Sequence, residues 1–289
     1  MAPNCPICDA SSTLEANHPE ADLYRCGGCD HCFSDLASLK VGMEGYGRDY
    51  FEDQAHNWFE NPNIGLFEAV RTRLEPLGPD ASILDMGCGN GDLLAYLRDR
   101  EPRMSLTGID LAPQPPIQGV TLLHGDLYST SFDRLFDAVI SLAVIEHVPD
   151  VHTYMQNLAK ITRPGGLIII MTVNDRGVFY GTARMMRRLG MVTPFNRLYS
   201  KHHLNHFNIS SLNRLVGLTG LTVKETLRHN SPMASVDIPK VSRLESAVFR
   251  LGIKGLFLLG KMTGQTLLQT IVCEKPLHAE QRMPRKMSA

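Results

Sequence analysis

The chain has 289 residues, of which 29 are basic and 30 acidic, so its formal net charge is -1. A dedicated nucleic-acid binder carries a basic surplus, and this balance argues against one. Hydrophobic residues make up 43% of the chain, which is typical of a globular protein and argues against wholesale disorder. The sequence shows neither the long apolar run of a membrane span nor a secretory signal at its start. We therefore expect a cytoplasmic protein.

Cysteines are concentrated at the start of the chain, where five of the seven lie within the first 32 residues. Two Cys-x-x-Cys pairs stand 17 residues apart: Cys5, Cys8, Cys26 and Cys29. Thiolates at this spacing favour tetrahedral zinc in a reduced protein. Cys32 is a fifth candidate, either a spare or a substitute for Cys29. We predict a polar, loop-like zinc-knuckle module over residues 1–40, whose surplus of carboxylates would repel nucleic-acid phosphates.

The rest of the chain has a regular pattern. Residues 41–80 are predicted to be a linker and an N-terminal helix, the helix at 64–74. From residue 82 onward, short apolar runs alternate with helical segments, as in βαβ units and parallel sheets. The predicted strands are 82–86, 105–110, 120–124, 136–142, 167–172, 221–227 and 267–274. The predicted helices are 92–99, 152–161, 210–218 and 242–261. The predicted fold class is therefore α/β, with a doubly wound, mostly parallel sheet of seven strands over residues 81–275.

Three segments interrupt or follow this pattern. Residues 174–206 form a substrate-side insertion without clear periodicity, and residues 235–263 form a helical insertion. Residues 276–289 are predicted to be a disordered tail. The stretch 242–261 combines leucines with arginines and lysines. For this stretch a peripheral-membrane contact, a lid, a dimer contact and packing on the sheet all remain open.

A glycine-rich loop follows the first predicted strand. Glycines occupy every second position of Gly87–Gly91 and allow the backbone to approach a ligand closely. Asp110 ends the next strand, where a carboxylate can bind ribose hydroxyls. A dinucleotide fingerprint needs a small third residue, but here Asp92 would repel a pyrophosphate. Asp85 is placed to meet a cationic amino group. The pattern indicates a nucleoside with an amino-acid end and no phosphates, which describes S-adenosylmethionine.

Several short motifs carry a family resemblance in their order and spacing. They are 84–91, 108–110, 125–127, 136–140, 145–148 and 163–166. With them the chain resembles the class I S-adenosylmethionine-dependent methyltransferases of small-molecule type. The cofactor-binding residues that the resemblance implies are Asp85, Gly87, Cys88, Gly89, Gly91, Asp110, Leu111, Asp126, Leu127, Leu142 and Ala143. Asp85 would hold the methionine part, Asp110 the ribose and Asp126 the exocyclic amine of adenine. A turn-capping role for Asp126 and core roles for Leu142 and Ala143 remain open.

Histidines are the candidate catalytic residues. Methyl transfer is an in-line displacement that needs alignment, and a hydroxyl nucleophile also needs a base. His147 follows the strand 136–142, while His203 and His206 precede the helix 210–218. Each could instead order a loop or pack in the core. A metal on the histidine group His202, His203 and His206 is disfavoured because no neighbouring acidic residue completes a ligand set.

The N-terminal knuckle also resembles that of bacterial methyltransferases of polysaccharide, sugar-nucleotide or natural-product pathways. In that comparison Tyr46–Phe51 would cover the cofactor. The resemblance implies an enzyme that methylates a small molecule, with O-methylation of a sugar, polysaccharide precursor or natural-product intermediate as our first choice. N- or C-methylation of a similar substrate is one alternative. The other is a non-catalytic protein that binds zinc and cofactor through a degenerate methyltransferase fold.

Overall fold

The computed structural model of the protein describes residues 2–39, 56–236 and 242–277. Over these ranges the strands form a four-stranded sheet and a seven-stranded sheet. The strands are β1 (Ser12–Ala16), β2 (Leu23–Cys26), β3 (Cys32–Ser34), β4 (Ser82–Met86), β5 (Ser105–Asp110), β6 (Val120–His124), β7 (Phe136–Leu142), β8 (Thr162–Val173), β9 (Asn205–His206), β10 (Thr222–His229) and β11 (Leu268–Glu274). The α-helices are α1 (His56–Glu60), α2 (Ile64–Leu74), α3 (Asp92–Arg100), α4 (Val151–Ile161), α5 (Val178–Arg188), α6 (Thr193–Leu198), α7 (Ile209–Leu218) and α8 (Arg243–Thr263).

The larger sheet confirms the predicted α/β class. Its strand order is β10-β11-β8-β7-β4-β5-β6. β11 runs antiparallel to both of its neighbours, and the other pairs are parallel. The chain builds outward from β4 to β6 and then returns to place β7 on the other side of β4. This reversal creates a crevice at the carboxyl ends of β4 and β7, where ligands bind in sheets of this type.

The core lies on both faces of this sheet, because successive side chains of a strand point to opposite faces. Leu84 and Val139 belong to one buried cluster, while their strand neighbours Ile83 and Ala138 belong to the other. All four are 0% exposed. Helices α4 and α7 cover the first face, and α2 and α3 cover the second. Each fully buried leucine or isoleucine contributes roughly 1.5–3 kcal/mol, so these two faces supply much of the stability of the sheet.

Most predicted elements match the structure to within a residue or two, but two do not. β8 begins at Thr162 rather than at 167. The pairing of β8 with β7 shifts register beside Asp137, and Gly165 has a positive φ of 73°. The glycine turn predicted from the sequence is therefore an irregularity inside one longer strand. The insertion 174–206 is more regular than expected, because it contains α5, α6 and β9.

The prediction that residues 1–40 are loop-like is wrong. β1, β2 and β3 form an antiparallel sheet, and β9 from the insertion adds to its edge by pairing Cys32 with His206 and Phe33 with Asn205. These strands are three to five residues long, too short for a clear alternation of apolar and polar side chains. The expected cover at Tyr46–Phe51 and tail residues 278–289 lie outside the described residues.

Candidate cofactor and substrate site

A cavity of about 520 Å³ opens at the switch point of the sheet. The cofactor residues predicted from the sequence line this cavity, with the exception of Gly91: Asp85, Gly87, Cys88, Gly89, Asp110, Leu111, Asp126, Leu127, Leu142 and Ala143. Two of the predicted histidines, His147 and His203, line it as well. One concave space therefore joins the expected cofactor groups to the expected base.

The glycine loop needs its glycines for both conformation and space. Gly87, Gly89 and Gly91 have positive φ values of 73°, 53° and 79°, which other residues rarely adopt. A Cβ on Gly87 would lie 2.4 Å from a methyl group of Val144. The loop is fastened to the neighbouring turn because the amide of Gly89 donates to Asp110 Oδ2 over 2.8 Å. The result is a rigid, close-fitting cradle at the start of α3.

Asp85 brings a buried carboxylate to the cavity. The side chain is 3% exposed, and burial, followed by the charge of Asp110, raises its pKa to about 7. An anion in this position is costly unless a cation approaches it. The ammonium of an amino-acid ligand would supply that cation, so the site favours a ligand with a positively charged end.

Asp110 and Asp126 occupy the two turns that follow β5 and β6. Asp110 also accepts the amide of Ala112 on Oδ1 over 2.9 Å, so both of its oxygens are oriented. Asp126 Oδ1 accepts the amides of Tyr128 and Ser129, both over 2.7 Å. These amide hydrogen bonds, that of Ser129 first, lower the pKa of Asp126. Asp126 therefore caps its own turn, and a contact with adenine through its other oxygen remains a prediction.

Cys88 is packed rather than reactive. Its Sγ lies under Gly108, where a Cβ would approach it to 2.9 Å. Burial, and then the charges of Asp85 and Asp110, raise the pKa of the Cys88 thiol well above its usual range. A thiol that stays protonated is a poor nucleophile. Cys88 thus shapes the floor of the glycine loop.

Aromatic side chains from α1 and α2 complete the cavity and were missed in the sequence. Trp58, Phe59 and Phe67 line it, and a Cβ on Gly89 would lie 2.8 Å from Phe59. The sequence signal for these residues is weak, because α1 is only five residues long and its aromatic pair fits an ordinary core helix equally well. They give the cavity an apolar wall beside the glycine loop.

Glu146, His147 and His203 form a compact group at the other end of the cavity. Each offers a ligand or proton-binding atom within 4.8 Å of the others, and the two imidazole centroids are 4.8 Å apart. Burial raises the pKa of Glu146 to about 7 and lowers that of His147 to about 4. Glu146 also accepts a hydrogen bond from Thr172 Oγ1 over 2.9 Å. The structure thus supplies the acidic neighbour that the sequence argument against a metal considered absent.

The two imidazoles in this group differ in their hydrogen bonding. His147 Nδ1 donates to the carbonyl oxygen of His202 over 2.6 Å, which fixes the ring and places the proton on Nδ1. His203 Nδ1 is buried and has no hydrogen-bond partner among the described residues. Burial, and then the proximity of His147, keep the pKa of His203 well below its usual value. His203 is therefore a neutral imidazole that lines the cavity, with its Nδ1 shielded from solvent.

His206, the third predicted base, lies elsewhere. It is 0% exposed, does not line the cavity and packs 4.5 Å from the ring of Tyr199. Because residues 205 and 206 form β9, His206 is held in the small sheet opposite Cys32. His203 and His147 therefore remain candidates for the base, and His206 does not.

The four predicted zinc ligands come together in the N-terminal module. Cys5, Cys8, Cys26 and Cys29 have sulfur atoms within 4.8 Å of one another. Burial alone would raise the pKa of Cys26, but amide hydrogen bonds from Cys29 and Gly28, together with thiol hydrogen bonds from Cys8 and Cys5, bring it to about 7. A thiolate stabilised by backbone amides suits a metal. Cys32 is excluded from the group, because it is buried against Leu23, Tyr180 and Tyr199.

The two Cys-x-x-Cys turns share one backbone geometry. In the first, the amide of Asp9 donates to the carbonyl of Cys5 over 3.0 Å; in the second, Asp30 donates to Cys26 over 3.2 Å. Both aspartates have a positive φ, 57° and 60°. Such matched turns point their sulfurs and amides to a common centre. This repetition favours one shared ion over two separate roles.

The N-terminal module forms hydrogen bonds with the segment that carries His203. Ser34 donates from its amide to the carbonyl of Leu204 over 2.9 Å and from Oγ to the carbonyl of His203 over 3.2 Å. On the other side, the amide of Leu204 donates to the carbonyl of Glu146 over 2.7 Å. The candidate base is therefore fixed between the module and the turn that carries Glu146.

A buried ion cluster strengthens the same junction. Asp175, which is 0% exposed, accepts from Arg25 over 2.9 Å, from Arg184 over 3.1 Å and from the hydroxyl of Tyr199. The carboxylate has cationic partners from both the module and the insertion. Removing one partner of such a cluster leaves an uncompensated buried charge, so this junction is sensitive to substitution.

The comparisons with known proteins agree with this geometry. The model of the methyltransferase domain family matches residues 59–226, more than half of the chain. The chain belongs to the methyltransferase domain family. This methyltransferase domain holds the glycine loop, Asp110, Asp126, Glu146, His147 and His203, while the cysteine module precedes the matched residues.

Curated relatives cover different shares of the chain. It is 32% identical over 105 residues to the ubiquinone biosynthesis O-methyltransferase of Rhizobium etli, which is 32% of this chain and 41% of that protein. It is 28% identical over 200 residues to the protein of the same name from Rickettsia canadensis, covering 61% of this chain and 82% of that one. The match thus spans about two fifths of the Rhizobium protein.

Solved structures share the fold. The 1,6-didemethyltoxoflavin-N1-methyltransferase of Burkholderia thailandensis, with its bound substrate and S-adenosylhomocysteine, superposes with a TM-score of 0.52 and 15% identity. The match covers 86% of this chain and 97% of that chain. At this identity the likeness shows the fold alone, which is the Rossmann-like fold of S-adenosylmethionine-dependent methyltransferases.

Proposed function

We propose that the chain transfers a methyl group from S-adenosylmethionine to a hydroxyl group of a small, largely apolar molecule. The observation that carries the proposal is that one cavity contains both the cradle for the cofactor and the group Glu146–His147–His203. The family assignment supports the reaction class. The names of the two curated relatives say O-methyltransferase, which supports oxygen as the acceptor.

Three features of the chain suit S-adenosylmethionine as the ligand of the cradle. Asp85 is a buried carboxylate that needs a cation, the glycine loop has no room for side chains, and Asp110 is oriented to accept from hydroxyls. When bound, S-adenosylmethionine supplies a methyl group on a cationic sulfur. We propose that Leu142 and Ala143 form the floor near that methyl group. Apolar side chains there exclude water and align the acceptor, which is most of what an in-line displacement requires.

Methylation of a hydroxyl group also requires a base that accepts the hydroxyl proton. We propose that the imidazole of His203 accepts it as the oxygen–methyl bond forms and the bond from the methyl group to the cofactor sulfur breaks. A buried imidazolium would be unstable alone, but the carboxylate of Glu146 lies close enough to stabilise it. His147 holds its ring against the carbonyl of His202 and positions His203. Burial makes His203 a neutral but weak base at neutral pH, so proton transfer depends on Glu146 stabilising the imidazolium.

The acceptor is proposed to be more apolar than a bare sugar. The cavity as a whole is lined mainly by aromatic and aliphatic side chains, including Trp58, Phe67 and Leu198. A sugar would leave hydroxyl groups without partners against such a wall. Among the acceptors expected from the sequence, we therefore favour a natural-product intermediate with an apolar body and a reactive hydroxyl.

We also propose one structural zinc ion in the module, bound by the two Cys-x-x-Cys pairs. Four sulfur ligands close the coordination shell and leave no position for a substrate. The metal would therefore stabilise the module and the junction with His203 without entering the reaction.

The test of the reaction is turnover with labelled S-adenosylmethionine and a panel of phenols, alkyl alcohols and primary amines. We expect phenols or alcohols to be methylated and His203→Ala to lower kcat by about 10²–10⁴-fold, with cofactor affinity unchanged within a few-fold. His229→Ala is the matched control, because His229 binds Thr270 on the sheet and does not line the cavity. Preferred methylation of amines, or full turnover by His203→Ala, would contradict the proposal.

One further arm separates a base from a metal site. If turnover requires an added divalent cation, and is lost both when that cation is removed and in Glu146→Gln, then Glu146, His147 and His203 bind the cation. If removal of divalent cations other than the zinc of the cysteine module leaves turnover unchanged, these three residues act by proton transfer. The two outcomes assign different roles to the same three residues.

A further inference from the structure

Helix α8 has a second apolar face that is exposed in the part of the chain that the structure describes. One side of the helix packs on the domain, where Phe257 is 9% exposed and its ring lies 6.1 Å from that of Phe179. The side chain of Asn230 also donates to the carbonyl of Phe257 over 3.1 Å. Gly260 permits the close approach, since a Cβ there would lie 2.9 Å from the carbonyl of Gln265. The orientation of α8 is therefore fixed.

The side of α8 turned away from these contacts carries a continuous apolar row. Its members recur at intervals of three, four or seven residues and so lie along one side of the helix: Leu244, Val248, Leu251, Leu258 and Met262. They are 76%, 64%, 72%, 61% and 76% exposed, respectively. Single exposed leucines are ordinary, but a row of this length on one helix marks a surface for binding.

A row of cations borders the apolar row. Arg243, Arg250, Lys254 and Lys261 are all exposed, and their spacing of seven, four and seven residues places them along a neighbouring line of the helix. The helix has one carboxylate, Glu245, and it caps the helix by accepting from the amide and hydroxyl of Ser242 over 3.0 and 2.7 Å. The whole chain carries a net charge of -1, so positive charge is concentrated here.

We infer that α8 docks this domain on the surface of a membrane that contains anionic lipids. An apolar stripe bordered by Lys and Arg suits a helix that lies in the plane of the interface, with the stripe among the acyl chains and the cations at the phosphates. Among the described residues, each helix is too short or too polar to serve as a transmembrane span. Docking rather than spanning is thus the geometry that this helix supports.

Charge distinguishes a membrane from a second copy of the chain. In a symmetric pair the same surface meets itself, so the cationic row of one copy would face either the cations or the uncharged side of the other. The single carboxylate of α8 is engaged in its own cap. An anionic surface complements both rows at once, whereas a second copy complements only the apolar one.

The test is sedimentation of the full chain with lipid vesicles. Vesicles in which about a third of the lipid is phosphatidylglycerol are compared with pure phosphatidylcholine, at low salt and at roughly 0.5 M salt. We expect binding to the anionic vesicles that falls at least tenfold with Leu251→Glu plus Leu258→Glu, and to a similar extent with Arg250→Glu plus Lys254→Glu. High salt should weaken binding by the wild-type protein.

Matched controls lie on other surfaces of the domain. Leu218→Glu changes a leucine on α7 that is 55% exposed, and Arg134→Glu plus Lys160→Glu makes the same charge change on exposed residues far from α8 in sequence. Both controls should bind like the wild type. Absence of binding to anionic vesicles, or equal losses in the controls, would overturn the inference. So would a dimer in sedimentation velocity that Leu251→Glu plus Leu258→Glu dissociates, because a second copy would then cover this face.

Discussion

The cofactor half and the substrate half of the cavity differ in how far apart their parts lie along the chain. Asp85, Gly89 and Asp110 belong to two consecutive βα turns, and the hydrogen bond from Gly89 to Asp110 spans 21 residues. His203, in contrast, is fixed by Ser34 across 169 residues. The cofactor half is therefore a local property of the sheet, whereas the substrate half depends on a separate module.

Because of this difference, we expect that cofactor binding and turnover can be impaired independently. The cofactor cradle rests on a sheet whose strands are buried on both faces. The His203 segment rests on a short sheet whose own stability we attribute to zinc, since a polar module of this size buries too little surface alone. Damage to the module should then affect turnover before it affects cofactor binding.

Zinc removal should produce the largest separation of the two halves. With chelator, or with Cys8→Ser, we expect kcat to fall by about 10²-fold, because a displacement of about 1 Å at a reacting group can cost that much. Cofactor affinity should stay within a few-fold. Cys273→Ala, which removes an isolated cysteine of β11, is the control and should keep its zinc. Elemental analysis alongside the kinetics would count one zinc per chain; full turnover without zinc would show that the module does not position His203.

Asp110→Asn should damage the opposite half. The substitution keeps the shape of the side chain but removes a charge-assisted hydrogen bond, worth roughly 1.5–3 kcal/mol. We expect the dissociation constant of S-adenosylmethionine to rise by about 10- to 100-fold, with zinc content unchanged. Calorimetric titration measures the first quantity and elemental analysis the second. An unchanged affinity would remove Asp110 from the cofactor site.

The pH dependence of cofactor binding should be the mildest effect. Because the pKa of Asp85 is raised to about 7, the carboxylate is mostly protonated below that pH and ionised above it. A cationic amino group binds the ionised form, so affinity should be highest above pH 7 and fall by up to about tenfold per pH unit below it. Asp85→Asn should bind more weakly at pH 8 and lose this dependence. Titrations at several pH values test both points, and a flat wild-type profile would exclude Asp85 as the partner of the ammonium.

The same contrast between local and distant contacts explains what the sequence could predict. Strands β4 to β7 were predicted at their observed bounds, since each is a short apolar run with a turn signal at its end. The cradle residues follow directly from those strands. In contrast, β9 is two residues long and exists because β3 lies beside it, a pairing that no local pattern contains.

The substrate half was predicted in part for the same reason. His147 and His203 stand out by residue type, yet no sequence feature separates them from His206, which is three residues from His203 and pairs in the small sheet. Glu146 is distant from His203 in sequence, and the fold brings the two residues together, where the amide of Leu204 also donates to the carbonyl of Glu146. Tertiary contacts of this kind decide which of several histidines reaches the cavity.

The most direct test of the central claim is a calorimetric titration of the full chain with S-adenosylhomocysteine, repeated after zinc has been chelated and repeated with NAD. We expect one site per chain with a dissociation constant on the order of micromolar, about -8 kcal/mol, nearly unchanged by chelation, and no comparable binding of NAD. Absence of binding, or equal affinity for NAD, would contradict the assignment of the cavity. Loss of binding on chelation would contradict the independence of the cofactor half.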